Sequence, residues 1–325
     1  MRIGIDVGGT NLAAGVVDDQ NRIVARAKRK TGESSTAEEL CDSLVLLARE
    51  AAENAGLAGN EVEYVGLGFP GSVDRKTGVV CYTPNAPFLN TPIREWFHRS
   101  WDVPVYVGND ANCASLGECY AGAARGKQSA VIVTLGTGVG IGAVVEGQSF
   151  LGLNGNGMEG GHIVIVVDGE PCNCGRRGCW ERYASATALK RLTREEMERS
   201  PDSAMWRLCE GSTGNVGGRT AFQAARAGDA AGRRVVDLYL KYLAAGLTNL
   251  VNIFQPEVLC LGGGVSNEGD DLFLEPLREL VARERYNTHQ KDVPQTQLLK
   301  CQLGNDAGII GAALLGTVQV REGRC

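Results

Sequence analysis

The chain has 325 residues, enough for two domains of ordinary size, each with its own core. Hydrophobic residues make up 43% and charged residues 22%, a globular profile, and a net charge of −5 leaves no basic footprint for nucleic acid or an anionic membrane. No apolar run reaches the roughly eighteen residues of a membrane-spanning helix, and the start of the chain reads as a strand rather than a signal peptide.

Residues 2–7 read as a buried strand that runs into Gly8, Gly9 and Thr10. A second strand follows over 12–17. After a polar turn at 18–21, a third is expected over 22–30. The same order returns about 130 residues later: a strand over 130–135, a turn from Gly136 through Thr137 and Gly138 to Gly140, a strand over 141–145 and a polar turn at 146–148. This internal repeat predicts two related α/β domains. Glycines in such turns let backbone N–H groups converge on phosphate oxygens, and Thr10 and Thr137 add hydroxyl donors. Neither turn has the Walker-type lysine spacing. One Gly-rich hairpin alone says little, but two at matching places in a duplicated pattern point to phosphate.

Between the repeats, residues 36–55 carry Leu40, Leu44, Leu47 and Ala51 on one helical face, with Thr36 and Glu39 as a capping box. A strand is expected over 62–69, a polar loop with Asn85 and Asn90 over 80–92, a short helix over 92–101 and a strand over 103–107. His98, on the short helix, reads as a surface residue. Next come Gly108, Asn109, Asp110, Ala111 and Asn112, with a helix over 111–123. Asp110 has two readings here. It is an N-cap, or a reactive carboxylate at a strand end facing a cleft.

The densest chemistry lies at 159–181. His162, Cys172, Cys174 and Cys179 fall within eighteen positions, flanked by Glu159 and Glu181. Four such ligands suit a closed, structural tetrahedral zinc site, with Gly175 and Gly178 permitting the tight turn. Eleven cysteines without an export signal read as a reducing cytoplasm, with most thiols free. Beyond this segment, helices are expected over 184–198 and 219–254, with an irregular stretch at 200–218 between them. The longer helix carries a core stripe from Val235 to Val251. A strand over 257–261 leads to Gly262, Gly263 and Gly264. Then come a helix over 272–285, a strand over 297–303 and a small-residue helix over 306–317. His289 lies in a polar loop with no expected role.

Together these motifs resemble the ROK family, whose sugar kinases share the actin-like ATPase (ribonuclease H-like) fold. The resemblance covers essentially the whole chain, in the family's order, and the cysteine segment is most similar to that of the family's bacterial glucokinases. It implies two duplicated α/β domains around a cleft. The smaller is formed by residues 1–122 with about 305–325, and the larger, with the zinc loop, by 123–304. It implies ATP-dependent phosphorylation of glucose at its 6-hydroxyl, with Asp110 as general base, Mg²⁺ accompanying ATP, and structural zinc on His162, Cys172, Cys174 and Cys179. Asp6, Gly8, Gly9, Thr10, Asn11, Gly136, Thr137 and Gly138 match the phosphate side, and Gly263 and Gly264 the adenosine side. Gly71, Asn85, Asn109, Asp110, Glu159, His162 and Glu181 match the sugar side. A homodimer or homotetramer is implied as well.

Two positions depart from the pattern. Gly160 replaces a common aliphatic residue, and Asn11 a common lysine. The competing readings are a kinase for N-acetylmannosamine, N-acetylglucosamine, fructose or allose, and a non-catalytic sugar sensor or repressor. A repressor of the family would carry a DNA-binding helix-turn-helix segment before the first phosphate turn, where five residues precede Asp6.

Overall fold

Glycines at the centre of the first sheet let a helix lie directly on it. In the computed structural model a Cβ on Gly4 would fall 1.9 Å from the Ile309 carbonyl oxygen, and one on Gly66 would fall 1.8 Å from that of Ala312. The structure describes residues 1–33, 36–83, 86–153, 157–286, 288–289 and 293–322. They form two compact units. The first holds Met1–Ala130, Gly142–Met158 and Cys301–Cys325; the second holds Val131–Ile141 and Glu159–Lys300.

In the first unit, β1 (Arg2–Val7), β2 (Asn11–Val17) and β3 (Ile23–Lys30) form an antiparallel meander. β4 (Tyr64–Phe69) then adds parallel to β1, the short strands β5 (Ser72–Asp74), β6 (Val79–Tyr82) and β7 (Leu89–Thr91) form a separate sheet, and β8 (Val105–Asn109) adds parallel to β4. The sheet order is β3-β2-β1-β4-β8. Helices α1 (Ala37–Asn54), α2 (Ile93–Ser100) and α3 (Asp110–Ala121) connect these strands. The capping box predicted for α1 is present: Glu39 N–H donates to Thr36 Oγ1, and Thr36 N–H to Glu39 Oε2. The apolar stripe of α1 is buried against β1, β2 and β3, so Leu40, Leu44 and Leu47 are fully inside. Each such leucine stabilises the unit by about 1.5–3 kcal/mol.

The second sheet repeats the arrangement. β9 (Ala130–Leu135), β10 (Val139–Val145), β11 (Gln148–Ser149), β12 (Val258–Gly262) and β13 (Gln297–Lys300) take the order β11-β10-β9-β12-β13. As in the first sheet, the outer pair on one side is antiparallel and the outer pair on the other is parallel. Helices α4 (Glu181–Ala184), α5 (Ala186–Arg199), α6 (Ala204–Leu208), α7 (Thr220–Arg226), α8 (Ala230–Phe254) and α9 (Leu274–Glu284) accompany it. The chain ends with α10 (Asp306–Ala312) and α11 (Leu315–Glu322). No described helix is long and apolar enough to cross a membrane.

Several element boundaries differ from expectation. Residues 80–92 are not simply a polar loop, because β6 and β7 pair with Val80 opposite Thr91 and Tyr82 opposite Leu89. The helix expected over 219–254 is two. Gly228, at φ 87°, breaks it, and Asp229 recaps α8 by accepting from Gly232 N–H. The irregular 200–218 stretch contains α6, with Ser203 as its N-cap. The final helix is likewise divided into α10 and α11.

Candidate functional site

The parallel strands of the first unit end along one edge, and register decides what stands there. Asp6 pairs with Gly68, and Phe69 with Asn109. The ends of β1, β4 and β8 therefore carry Asp6, the bend at Gly71 and the Asn109–Asp110 pair. Asn109, not Asp110, is the N-cap of α3: its Oδ1 accepts from Asn112 N–H at 3.1 Å. Its Nδ2 donates to the Gly71 carbonyl at 3.0 Å. Gly71 sits at φ 94°, and a Cβ there would lie 2.3 Å from the Tyr82 carbonyl oxygen, so only glycine fits. Asp110 is the first helical residue. Its Oδ1 accepts from Ala111 N–H at 2.8 Å, which orients a half-buried carboxylate at the positive end of α3. Asn85 lies outside the described residues.

Asp6 is close enough to feel that second carboxylate. Burial first, and the Asp110 charge second, raise its pKa from 3.8 to about 6. Helix α10 supplies part of the burial: a Cβ on Gly308 would stand 2.9 Å from Asp6 Oδ2. Sequence reasoning missed Gly308, whose one signal is the run of small residues opening the last helix. It also missed Thr31. This residue holds the first Gly/Thr turn from behind, its Oγ1 donating to the Gly8 carbonyl at 2.7 Å and its N–H to that of Thr10 at 3.0 Å. Gly8 N–H donates to the Asn11 carbonyl, while Gly9, Thr10 and Asn11 are exposed at the tip.

In the second unit the matching turn is anchored on helices. Ala186 N–H donates to the Gly136 carbonyl at 2.8 Å, and Thr187 Oγ1 to that of Thr137 at 2.9 Å. Glu181 Oε2 accepts from Val139 N–H at 3.1 Å and lies where a Cβ on Gly138 would be. The Gly263 turn packs beside it. With φ at 88°, a Gly263 Cβ would fall 2.4 Å from the Leu135 carbonyl oxygen, where β9 ends; Gly264 has open space around it.

The other oxygen of Glu181 faces the cysteine cluster, with Oε1 4.0 Å from Cys172 Sγ. His162, Cys172, Cys174 and Cys179 each present one ligand atom, all within 4.8 Å of one another. Cys172 Sγ is 3.6 Å from His162 Nδ1, and Cys174 Sγ is 3.6 Å from Cys179 Sγ. Tetrahedral zinc, with Zn–S of about 2.3 Å and Zn–N of about 2.0–2.1 Å, requires edges of roughly 3.6 Å (S to N) and 3.8 Å (S to S). Two donor pairs, Cys172 with His162 and Cys174 with Cys179, therefore stand at the spacing a four-coordinate metal demands. Their chemistry agrees. Burial, then a bond to Cys174, drives the Cys179 thiol up to about 12, so a thiolate there calls for a neighbouring cation.

The loop is pinned by Trp180, another residue outside the sequence expectations. Its Nε1 donates to the Tyr242 carbonyl at 2.9 Å, and its ring fills the space over Gly246 of α8. Glu159 is exposed before the short 3₁₀ turn Gly160–His162. At Gly160, the Ile141 Cδ1 methyl occupies the position a Cβ would take, at 2.3 Å, so an aliphatic group is still present, supplied from β10.

The ROK family pattern matches residues 2–318. The chain belongs to the ROK family. Its fold is the duplicated α/β arrangement of the actin-like ATPases. Similar proteins include a glucokinase of Thermotoga maritima, 37% identical over 312 residues that cover 96% of this chain and 95% of that one. A crystal structure of a ROK family glucokinase from Streptomyces griseus in complex with glucose and AMPPNP is 38% identical, with a TM-score of 0.79 over 96% of this chain and 97% of that chain. A ROK hexokinase structure from Thermus thermophilus is 34% identical, with a TM-score of 0.83 over 99% of each chain.

Proposed function

We propose that this ROK protein is an ATP-dependent glucokinase that transfers the γ-phosphoryl group of ATP to the 6-hydroxyl of glucose. The observation that carries the reading is the placement of Asp110. It opens α3 without capping it, at the edge where Asp6 also ends its strand. Its carboxylate takes the hydroxyl proton as the sugar oxygen bonds to phosphorus and ADP leaves. A sugar hydroxyl is a weak acid near neutral pH, so the base acts chiefly as the new bond forms. Such bases contribute about 10²–10⁴-fold.

In the first unit, Gly8, Gly9, Thr10 and Asn11 serve the phosphates. Gly71, Asn85 and Asn109 serve the sugar together with Asp110. In the second, Gly136, Thr137 and Gly138 serve the phosphates, Gly263 and Gly264 the adenosine, and Glu159, His162 and Glu181 the sugar. The amide and carboxylate groups suit hydroxyls that both donate and accept, which makes loss of one hydroxyl costly. Asp6 would hold Mg²⁺ brought with ATP, an ion that neutralises phosphate charge. His162, Cys172, Cys174 and Cys179 would hold zinc as a structural ion. With His162 Nδ1 turned to the metal, Nε2–H is left to donate to a sugar hydroxyl, and the tautomer is fixed. The cytoplasm, which is reducing, suits both ATP chemistry and this set of free thiols.

A coupled ADP-release assay across hexoses and amino sugars tests the reading. Glucose is expected to give the highest kcat/KM. Preference for an N-acetylated amino sugar, fructose or allose would overturn the glucose assignment, and no ADP release with any sugar would overturn the kinase.

A further inference from the structure

A groove of about 410 Å³ lies between α9 and β13 of the second unit, lined by Arg278, Val281, Ala282, Arg285, Thr296 and Gln297 with Leu298 and Leu299. Arg278, Val281 and Ala282 follow i, i+3, i+4 on one face of α9, and Arg285 is its C-cap. β13 is the edge strand of its sheet and runs parallel to β12, with Gln297 opposite Val258. The groove reaches this amino-terminal end of β13. The Gly262–Gly264 turn stands at the other end of β12, about 13 Å along the strand. This places the groove apart from the turn assigned to adenosine.

Two polar atoms in its wall have no partner among the described residues, although both are buried: Arg285 Nε and Thr296 Oγ1. A buried donor without an acceptor costs about 1–3 kcal/mol, more when it is charged, and both of these atoms belong to residues that line the one groove. Arg278 is partly committed. Its Nε and Nη2 donate to the edge carbonyl of Leu298 at 3.1 and 2.9 Å, which leaves Nη1. Among the described residues, no carboxylate lines the groove. Asp270, which feels the charge of Arg278, is already bound by Lys300. Among the described residues, the two arginines therefore meet no carboxylate within the groove itself.

We propose that this groove binds a phosphate monoester, held by Arg285, Thr296 and the free nitrogen of Arg278. Guanidinium forks match the geometry of phosphate oxygens, and a dianion balances two arginines. Val281, Ala282, Leu298 and Leu299 give the organic portion an apolar wall, and the volume lies in the range of small-molecule sites. The product of the proposed reaction belongs to this ligand class, but the site stands on its own geometry and does not depend on that reaction.

Calorimetric titration of the full chain, with the catalytic site kept saturated by glucose and AMPPNP, tests the proposal. Glucose 6-phosphate and inorganic phosphate are the probes. Saturable binding is expected, weakened about tenfold or more in Arg285→Gln and reduced in Thr296→Val. Arg283→Gln, which removes an arginine outside the groove, should leave it unchanged. Binding of the ester alone supports a site that reads the organic portion, whereas equal binding of both supports a site for the phosphate group itself. Absence of saturable binding of either probe overturns the proposal. So does binding that survives both groove substitutions, or that falls as much in Arg283→Gln. Circular dichroism on each variant separates loss of the site from loss of the fold; should Arg285→Gln fail to fold, Thr296→Val still decides.

Discussion

Replacing Asp6 with asparagine should make the ligand-free protein more stable while making it a poorer enzyme. Burial, with the Asp110 charge adding to it, lifts the Asp6 pKa from 3.8 to about 6. A carboxyl whose folded pKa is raised holds its proton more tightly folded than unfolded. Its contribution to stability is therefore greatest below about pH 4 and is lost as pH rises through 6. A rise of that size corresponds to about 3 kcal/mol, the upper limit of what the ionised Asp6 costs near pH 7.5. The amide of Asp6→Asn has nearly the same shape beside Gly308 and does not ionise. Urea unfolding at pH 7.5 without nucleotide or metal should then show the variant more stable by up to about 3 kcal/mol, with the gap closing near pH 4. Turnover should fall, because the group proposed to hold Mg²⁺ with ATP is gone. A variant no more stable than the parent at pH 7.5, or a gap independent of pH, would refute the argument that burial and Asp110 strain this carboxylate.

Asp110→Ala should lower kcat by about 10²–10⁴-fold while calorimetry still detects glucose binding; near-normal turnover would remove Asp110 from the role of base. Elemental analysis should find about one zinc per chain and markedly less in Cys179→Ser, because a site that has lost a thiolate is no longer closed. Chelation should weaken glucose binding more than nucleotide binding, since His162 is assigned to the sugar; equal losses would mean that the metal supports the whole unit. Gly246→Ala drives a methyl to within 2.0 Å of the Trp180 ring. Thermal melting should register a loss of about 1–3 kcal/mol, typical of an overpacked core, and zinc retention should fall with it.

Local chemistry was legible in the residues themselves. The two Gly/Thr turns, the capping box of α1 and the spacing from His162 to Cys179 each lie within a short stretch, where backbone geometry alone limits what the residues can do. The repeat of strand, turn and strand carried the duplicated fold, because hairpin pairing is local and its alternation survives in composition. The cap of α3, for which the sequence offered Asp110, went to Asn109 through one hydrogen bond to Asn112 N–H. The break between α7 and α8 was hidden because the apolar periodicity continues on both sides of Gly228. Only the tertiary structure put α10 against Asp6, Trp180 against Gly246, Glu181 on the second Gly/Thr turn and Ile141 over Gly160. Each of these pairs joins segments distant in the chain. Burial, the raised pKa of Asp6 and the arginine-lined α9–β13 groove belong to such pairs, since a local pattern fixes which face is apolar but not what is packed against it.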